Sequence, residues 1–309
     1  MTTGDSIGWL GVPLAIMAGA IRGSSPFLLV SLGECLTEKS GKINLGLEGT
    51  LLMGAMTAYA VSYRSGSPWL GVLAAGVAGA ILGSIHAWLA QLPRVNDIAV
   101  GIAMFIFGSG LAFFLGDPYI QPMAPPLPGI ALGGWSSLPQ IQSALKISPL
   151  LILGIVLSFG LYWFFLNTRW GLFIRAVGDN PAAARAQGIS VVKVRTLSIM
   201  AGSFLAGVGG AYLSLVYPGS WTRLVSSGQG LMAVALVIFA RWDPRRCLLA
   251  SLLFGGAQAV GPALQAAGVK SYYYLFNAAP YILTLGIMIF TCSPRRSLAG
   301  APGALGSGE

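Results

Sequence analysis

Few side chains in this sequence are of types that catalyse reactions or coordinate metals, and most of those lie in apolar surroundings. His86 is the only histidine, so a multi-histidine metal site is excluded and a Ser/His/Asp arrangement is hardly available. A polar residue packed between helices is the simpler account of it. Cys35, Cys247 and Cys292 lack metal-ligand spacing and read as free thiols without a disulfide framework. There is no G-x-x-x-x-G-K-[ST] segment, so the chain does not itself hydrolyse ATP through a P-loop. No nucleophile-base pair stands out, and the sequence does not look like that of an enzyme. What remains is a set of carboxylates and amides in or beside apolar runs: Glu34, Asn44, Glu48, Asn96, Asp97, Gln229, Gln258 and Asn277. Charge exposed to lipid is expensive, so such groups either line a polar route or serve the structure. Asn44 and Asn96 precede apolar runs, where an amide caps a helix and the neighbouring Glu48 and Asp97 favour its positive end. The other reading places Asn44, Glu48, Asn96, Asp97, Gln229 and Asn277 on a pathway for a polar solute.

A second cluster lies in a polar loop, Gly178-Asp179-Asn180-Pro181-Ala182-Ala183-Ala184-Arg185-Ala186-Gln187-Gly188-Ile189. Asn180 suits a helix cap, Pro181 the first helical position and Gly188 a left-handed stop. A short Ala-rich helix is expected, flanked by Arg169, Arg175, Arg185, Lys193 and Arg195. It is either a plain connector or a rigid lever, presented by Asp179, Asn180, Pro181, Ala184, Arg185 and Gly188, for a soluble partner to grip.

The elements that hold these residues must be helices in a bilayer. Apolar residues make up 55% of the 309 and charged residues 9%, with mean hydropathy +0.75, which is too little charge for a soluble surface. About nine apolar segments follow one another, at roughly 8–36, 43–63, 69–91, 97–115, 148–166, 197–217, 226–240, 246–266 and 273–292. The expected fold is an all-α integral membrane protein with about nine transmembrane helices. The first segment is interrupted by Arg22, Gly23, Ser24, Ser25 and Pro26, so it is either one broken helix or two short pieces. Met1 to Gly8 carry Asp5 and no basic region, which speaks against a cleaved signal peptide.

Despite a net charge of +9, the cations form no continuous basic face, which speaks against a nucleic-acid partner. They fall instead between the spans. The groups after the fifth, seventh and last segments are separated by even numbers of crossings and share one side with Lys39, Lys42 and Arg94. Arg64, Lys146, Arg223 and Lys270 fall on the other. The positive-inside rule then gives an external N-terminus and a cytoplasmic C-terminus. One transmembrane domain is expected over 1–296, with an external Pro-rich loop at 116–148 and the cytoplasmic loop at 167–196. A flexible cytoplasmic tail, 297–309, rich in Gly, Ala, Ser and Pro, should follow. Ala75, Gly79 and Gly83, like Gly202, Ala206 and Gly210, repeat at helix-packing spacing; they serve packing within the chain or between subunits. Gly46 to Met53 faintly echoes Ser227 to Met232, which fits an inverted repeat of two halves.

Two stretches also carry a resemblance. Glu38-Lys39-Ser40-Gly41-Lys42-Ile43-Asn44-Leu45-Gly46-Leu47-Glu48-Gly49 resembles the E-[RK]-S-G-x-x-N-[LI]-G-x-E-G segment of nucleoside ATP-binding cassette (ABC) permeases, within the broader ribose/branched-chain amino acid permease family. Gly171 to Arg195 resembles that family's coupling loop, and the likeness extends through Ser227-Gly228-Gln229-Gly230 and Ala235 to Phe239. Ala240 stands before Arg241-Trp242 where the family usually has Gly. The resemblance implies the inner-membrane subunit of an importer with a type-II-like helical fold. It implies cytoplasmic ABC ATPase subunits that hydrolyse ATP, with no cofactor in this chain. An external substrate-binding protein and a second, paralogous permease are implied as partners, beside membrane lipid. A ribose-type sugar or branched-chain amino acid permease is the nearest rival. An ion-coupled secondary transporter using Glu34, Glu48 or Asp97 is a rival of another class.

Overall fold

The computed structural model describes residues 11–120, 122–132, 146–269, 275–276, 278–291 and 300–307. Asn277, Cys292, Trp135, Pro139, Lys270, Arg295 and Arg296 lie outside them. Each of the nine apolar segments contains a helix. Among the described residues six helices are long and apolar enough to cross a membrane: α1 (Val12–Glu38), α3 (Pro68–Leu89), α4 (Asp97–Gly116, extended by a 3-10 turn to Tyr119), α5 (Pro149–Asn167), α8 (Val191–Leu215) and α10 (Pro244–Ala266). The remaining segments hold α2 (Leu47–Ser65), the shorter α9 (Gln229–Phe239) and α11 (Ala279–Thr291). Between α5 and α8 lie α6 (Arg169–Asp179) and α7 (Pro181–Ala186), and α12 (Ala304–Ser307) is the last turn.

Local chemistry sets most boundaries. Asn96 Oδ1 accepts from the Ile98 and Ala99 amides at 2.8 and 3.2 Å, which serves two of the four orphan donors at the start of α4. Ser67, Ser148, Thr168, Asn180 and Asp243 cap α3, α5, α6, α7 and α10 in the same way. Gly66, at φ +69°, ends α2 in the left-handed region that a side chain disfavours.

The first segment is a single helix, α1, and neither two pieces nor a break. Pro26 has no N–H to give the carbonyl four residues back, that of Arg22. The Tyr212 hydroxyl, from α8, donates to that carbonyl at 2.7 Å. A side chain from another helix thus completes the ladder that the proline opens.

α8 sits at the middle of the bundle, and its small residues let three neighbours approach backbone to backbone. A methyl group on Gly202 would overlap the Gly33 carbonyl of α1; on Gly210, the Leu51 carbonyl of α2; on Gly207, the Ala75 carbonyl of α3. Gly79 and Gly83 of α3 lie against Ser203. Both small-residue stripes therefore pack within the chain. In lipid, where no hydrophobic force drives helices together, this close fit is a source of cohesion beside the hydrogen bonds between helices.

The described start of the Pro-rich loop is anchored. Tyr59 Oη and Ser62 Oγ of α2 donate to the carbonyls of Pro122 and Pro125 at 2.8 and 2.9 Å, and the Leu127 amide donates to Leu215 O at 2.9 Å. Strands β1 (Ile130–Ala131) and β2 (Lys146–Ile147) pair antiparallel with Ile130 opposite Ile147. The fully buried Trp221 donates from its indole nitrogen to Gly116 O at 2.8 Å, which serves an orphan carbonyl of α4. The expectation of a flexible tail does not hold for residues 300–307. Ala301 and Leu305 pack onto the apolar cluster around α6 and α7, and Ala304 is buried.

Candidate functional site

The segment Glu38 to Gly49 forms a clasp between five helices. Glu34 Oε1 accepts from the Asn44 amide at 2.8 Å, the Asn44 side chain donates to Ser203 Oγ of α8 at 3.3 Å, and Asn44 Oδ1 accepts from the Gly46 amide at 3.0 Å. Lys42 pairs with Asp97, at the head of α4, at 2.8 Å, with side chains only 6% and 24% exposed. Arg195 Nε donates to Ser40 O at 3.1 Å. Glu48 reaches from α2 to the start of α9. There it accepts from the Ser226 hydroxyl and from the Gly228 and Gly230 amides, the last two at 3.0 and 2.6 Å. A carboxylate at a helix N-terminus answers both its orphan donors and its dipole. The two stretches that echo each other in sequence thus meet in space.

These contacts place Asn44, Glu48, Asn96 and Asp97 in the frame of the bundle. Asn44 and Glu48 are 1% and 4% exposed, while exposed Asn96 lines a separate cavity of about 520 Å³ with Lys42, Gln91, Arg94 and Arg195. Gln229 opens α9 with its Oε1 buried and unpartnered among the described residues. Buried His86 packs between α3 and its neighbours.

The cavity suited to a small solute lies elsewhere. It measures about 550 Å³ between the first half of α1, the last half of α10, Ser227 and Met232 at the start of α9, and Pro280 and Tyr281 of α11. Its polar groups come from Arg22, Ser227, Gln258, Tyr217 and Tyr281. Gly19 lies against Ala259, and Gly23 against Gly255, so α1 and α10 nearly touch along one wall. Two of the polar residues share an origin. Arg22 precedes Pro26 by four, and Gln258 precedes Pro262 by four. A proline inside a helix releases the carbonyl four residues earlier, so both lining helices lose an internal bond at the cavity, one that Tyr212 replaces in α1. Of these groups only Gln258 stood among the sequence candidates. The helix-interior prolines, Pro26 and Pro262, are the signal that could have marked Arg22 beside Gln258; the sequence held none for Ser227, Tyr217 or Tyr281.

On the opposite face α6 and α7 lie along the ends of the spans. Asn180 Oδ1 accepts from the Ala183 amide at 2.9 Å, and Gly188, at φ +80°, ends the turn with its amide on Arg185 O at 2.9 Å. Pro181 and Ala184 are buried against the bundle, while Asp179, Asn180, Ala183 and Arg185 face outward. Six apolar spans, a capped helix held across their ends and a polar cavity remote from it are the layout of a conduit worked from one face.

Comparison with known proteins decides which conduit. The family described as branched-chain amino acid transport system / permease component matches residues 7–292. The chain belongs to this permease family. A putative glucose ABC transporter permease of Haloferax volcanii is 34% identical over 78% of this chain and 74% of its own length. The guanosine ABC transporter permease NupQ of Bacillus subtilis is 32% identical over 85% of this chain and 87% of its own. The nucleoside ABC transporter permease NupC of Lactococcus lactis is 30% identical over 88% and 90%. This permease is therefore a multi-pass membrane subunit of an ABC importer, working with ATPase and substrate-binding partners.

Proposed function

We propose that this permease carries a nucleoside. The observation that carries the reading is the cavity between α1 and α10. Its volume, about 550 Å³, falls in the range of small-molecule sites. The rings of Tyr217 and Tyr281 offer faces for a base, and the Gln258 amide, Ser227 hydroxyl and Arg22 offer donors and acceptors for its edge and ribose. Two relatives named for guanosine or nucleosides, matching over most of both chains, support the choice. The glucose-named relative favours a second reading, a sugar. Uptake into proteoliposomes containing the ATPase and binding protein separates them. Labelled guanosine should accumulate with ATP, and Tyr217→Ala or Tyr281→Ala should raise its KM by about tenfold, the worth of one lost base stack. Accumulation of glucose alone would overturn the nucleoside assignment.

We infer further a type-II-like bundle in which nine helices cross the membrane, with two halves related as an inverted repeat. The N-terminus is external, the C-terminus cytoplasmic, and the cavity opens outward to the binding protein. ATPase subunits grip α7 through Asp179, Asn180, Arg185 and their neighbours, and their closure bends α10 at Pro262 against α1. The chain needs no cofactor of its own, pairs with a second, paralogous permease, and is surrounded by lipid. In intact cells a membrane-impermeant thiol reagent should label Arg64→Cys and spare Lys193→Cys; the reverse pattern would invert the topology.

A further inference from the structure

A second cavity, of about 340 Å³, lies on the α6–α7 face, where the ends of α1, α5 and α6 meet the start of α10. Among the described residues, Lys39, Arg175, Arg241 and Arg246 line it against a single carboxylate, Asp243. That carboxylate is already engaged. It accepts from Arg245 at 3.3 Å, while Arg246 reaches it only at 3.8 Å. Arg245 in turn stacks on Tyr162, 3.5 Å from the ring centroid. The cavity therefore keeps an uncancelled positive charge. Arg175 Nε is buried with no hydrogen-bond partner among the described residues, an arrangement that is costly unless something supplies an acceptor.

The backbone is held in an unfavourable shape at the same place. Arg241 and Trp242 sit at φ +51° and +56°, a left-handed pair that residues with side chains disfavour. The Trp242 indole N–H donates to buried Glu38, and its carbonyl accepts from the Cys35 thiol at 3.3 Å. Those two bonds fix the turn that sets Arg241 at the cavity. Neither the solute cavity nor α7 requires this turn.

The rim of the cavity shows what approaches it. Leu166 belongs both to the lining and to a stripe on α5, Val156, Phe159, Trp163 and Leu166, whose members are each more than half exposed. Their spacing puts them on one helix face, and on a membrane span such a face borders acyl chains. We propose that this cavity binds the phosphodiester of an anionic phospholipid, whose chains run along the α5 stripe. A soluble phosphate would use the cations but gain nothing from the stripe beside them.

The test uses the full-length protein in nanodiscs and the motionally restricted fraction of spin-labelled phosphatidylglycerol against spin-labelled phosphatidylcholine. Wild type should prefer phosphatidylglycerol, and Arg175→Gln with Arg241→Gln should lower the preference about fivefold per charge removed. Arg169→Gln with Lys193→Gln, exposed cations of the same face outside the cavity, should leave it unchanged. An equal fall in that control would show diffuse attraction and overturn the proposal, as would the absence of a preference in wild type. Displacement by glycerophosphate or inorganic phosphate would assign the cavity to a free anion. Loss of the preference on adding the ATPase would assign it to an acidic segment of that partner. Should the double variant fail to fold, Lys39→Gln and the wild-type preference decide the matter.

Discussion

Tyr212→Phe removes one oxygen atom and tests how α1 survives its internal proline. With Pro26 in place, the Tyr212 hydroxyl, at 2.7 Å, donates to the Arg22 carbonyl in place of the missing helix bond. Tyr212 is 2% exposed, but Arg22 is half-buried and lines the solute cavity, so water there recovers part of the loss. A carbonyl stripped of its partner loses about 1–3 kcal/mol where water cannot reach it, and a part-buried one falls at the low end. In Pro26→Ala the residue regains an N–H for that carbonyl, and the hydroxyl becomes nearly redundant. The same Tyr212→Phe change should then cost less than about 0.5 kcal/mol, the small residue of a neutral exchange. A double-mutant cycle should therefore return a coupling of about 1–2 kcal/mol between the two positions. Unfolding of the purified protein in mixed micelles, titrated with sodium dodecyl sulfate, measures each corner. Equal costs in both backgrounds would refute the idea that Tyr212 completes the α1 ladder.

Glu48→Ala should destabilise the fold by about 4 kcal/mol, since charge-assisted bonds contribute about 1.5–3 kcal/mol each and three are lost together; Glu48→Gln, which keeps the shape and one acceptor, should cost about half as much in the same unfolding assay. Gly33→Leu should abolish folded protein in size-exclusion profiles, because even a methyl group there meets the Gly202 backbone. Gly160→Ala on α5, where nothing lies within 4 Å, should instead stabilise by up to about 1 kcal/mol. Replacing 180–188 with a flexible Gly/Ser stretch should eliminate ATP-driven uptake while membrane insertion stays intact; unchanged uptake would sink the lever role of α7.

Features that rest on neighbours in sequence were legible before the fold was known. Asn96, Asn180, Pro181 and Gly188 stand where capping chemistry puts them, because a cap needs only the next three residues. The continuity of α1 was not legible, since the group that restores it is 190 residues away. Glu48 and Asn44 share that difficulty. A buried polar residue in an apolar run looks the same whether its partner is a solute or a serine on another helix, and Ser203 and Ser226 are far along the chain. The solute cavity was harder still. Its walls are largely Gly and Ala, its rings look like ordinary interface aromatics, and only the four-residue offset of Arg22 and Gln258 from two prolines marked it.

The glycine-bordered packing of α8 has a mechanical consequence. Where Gly202, Gly207 and Gly210 meet the backbones of α1, α3 and α2 no side chain lies between, so little compliant material is left there to shear, and those four elements should travel as one block. Any stroke of the importer is then confined to the outer members: α10 bending against a stationary spindle, with α9 and α11 following it.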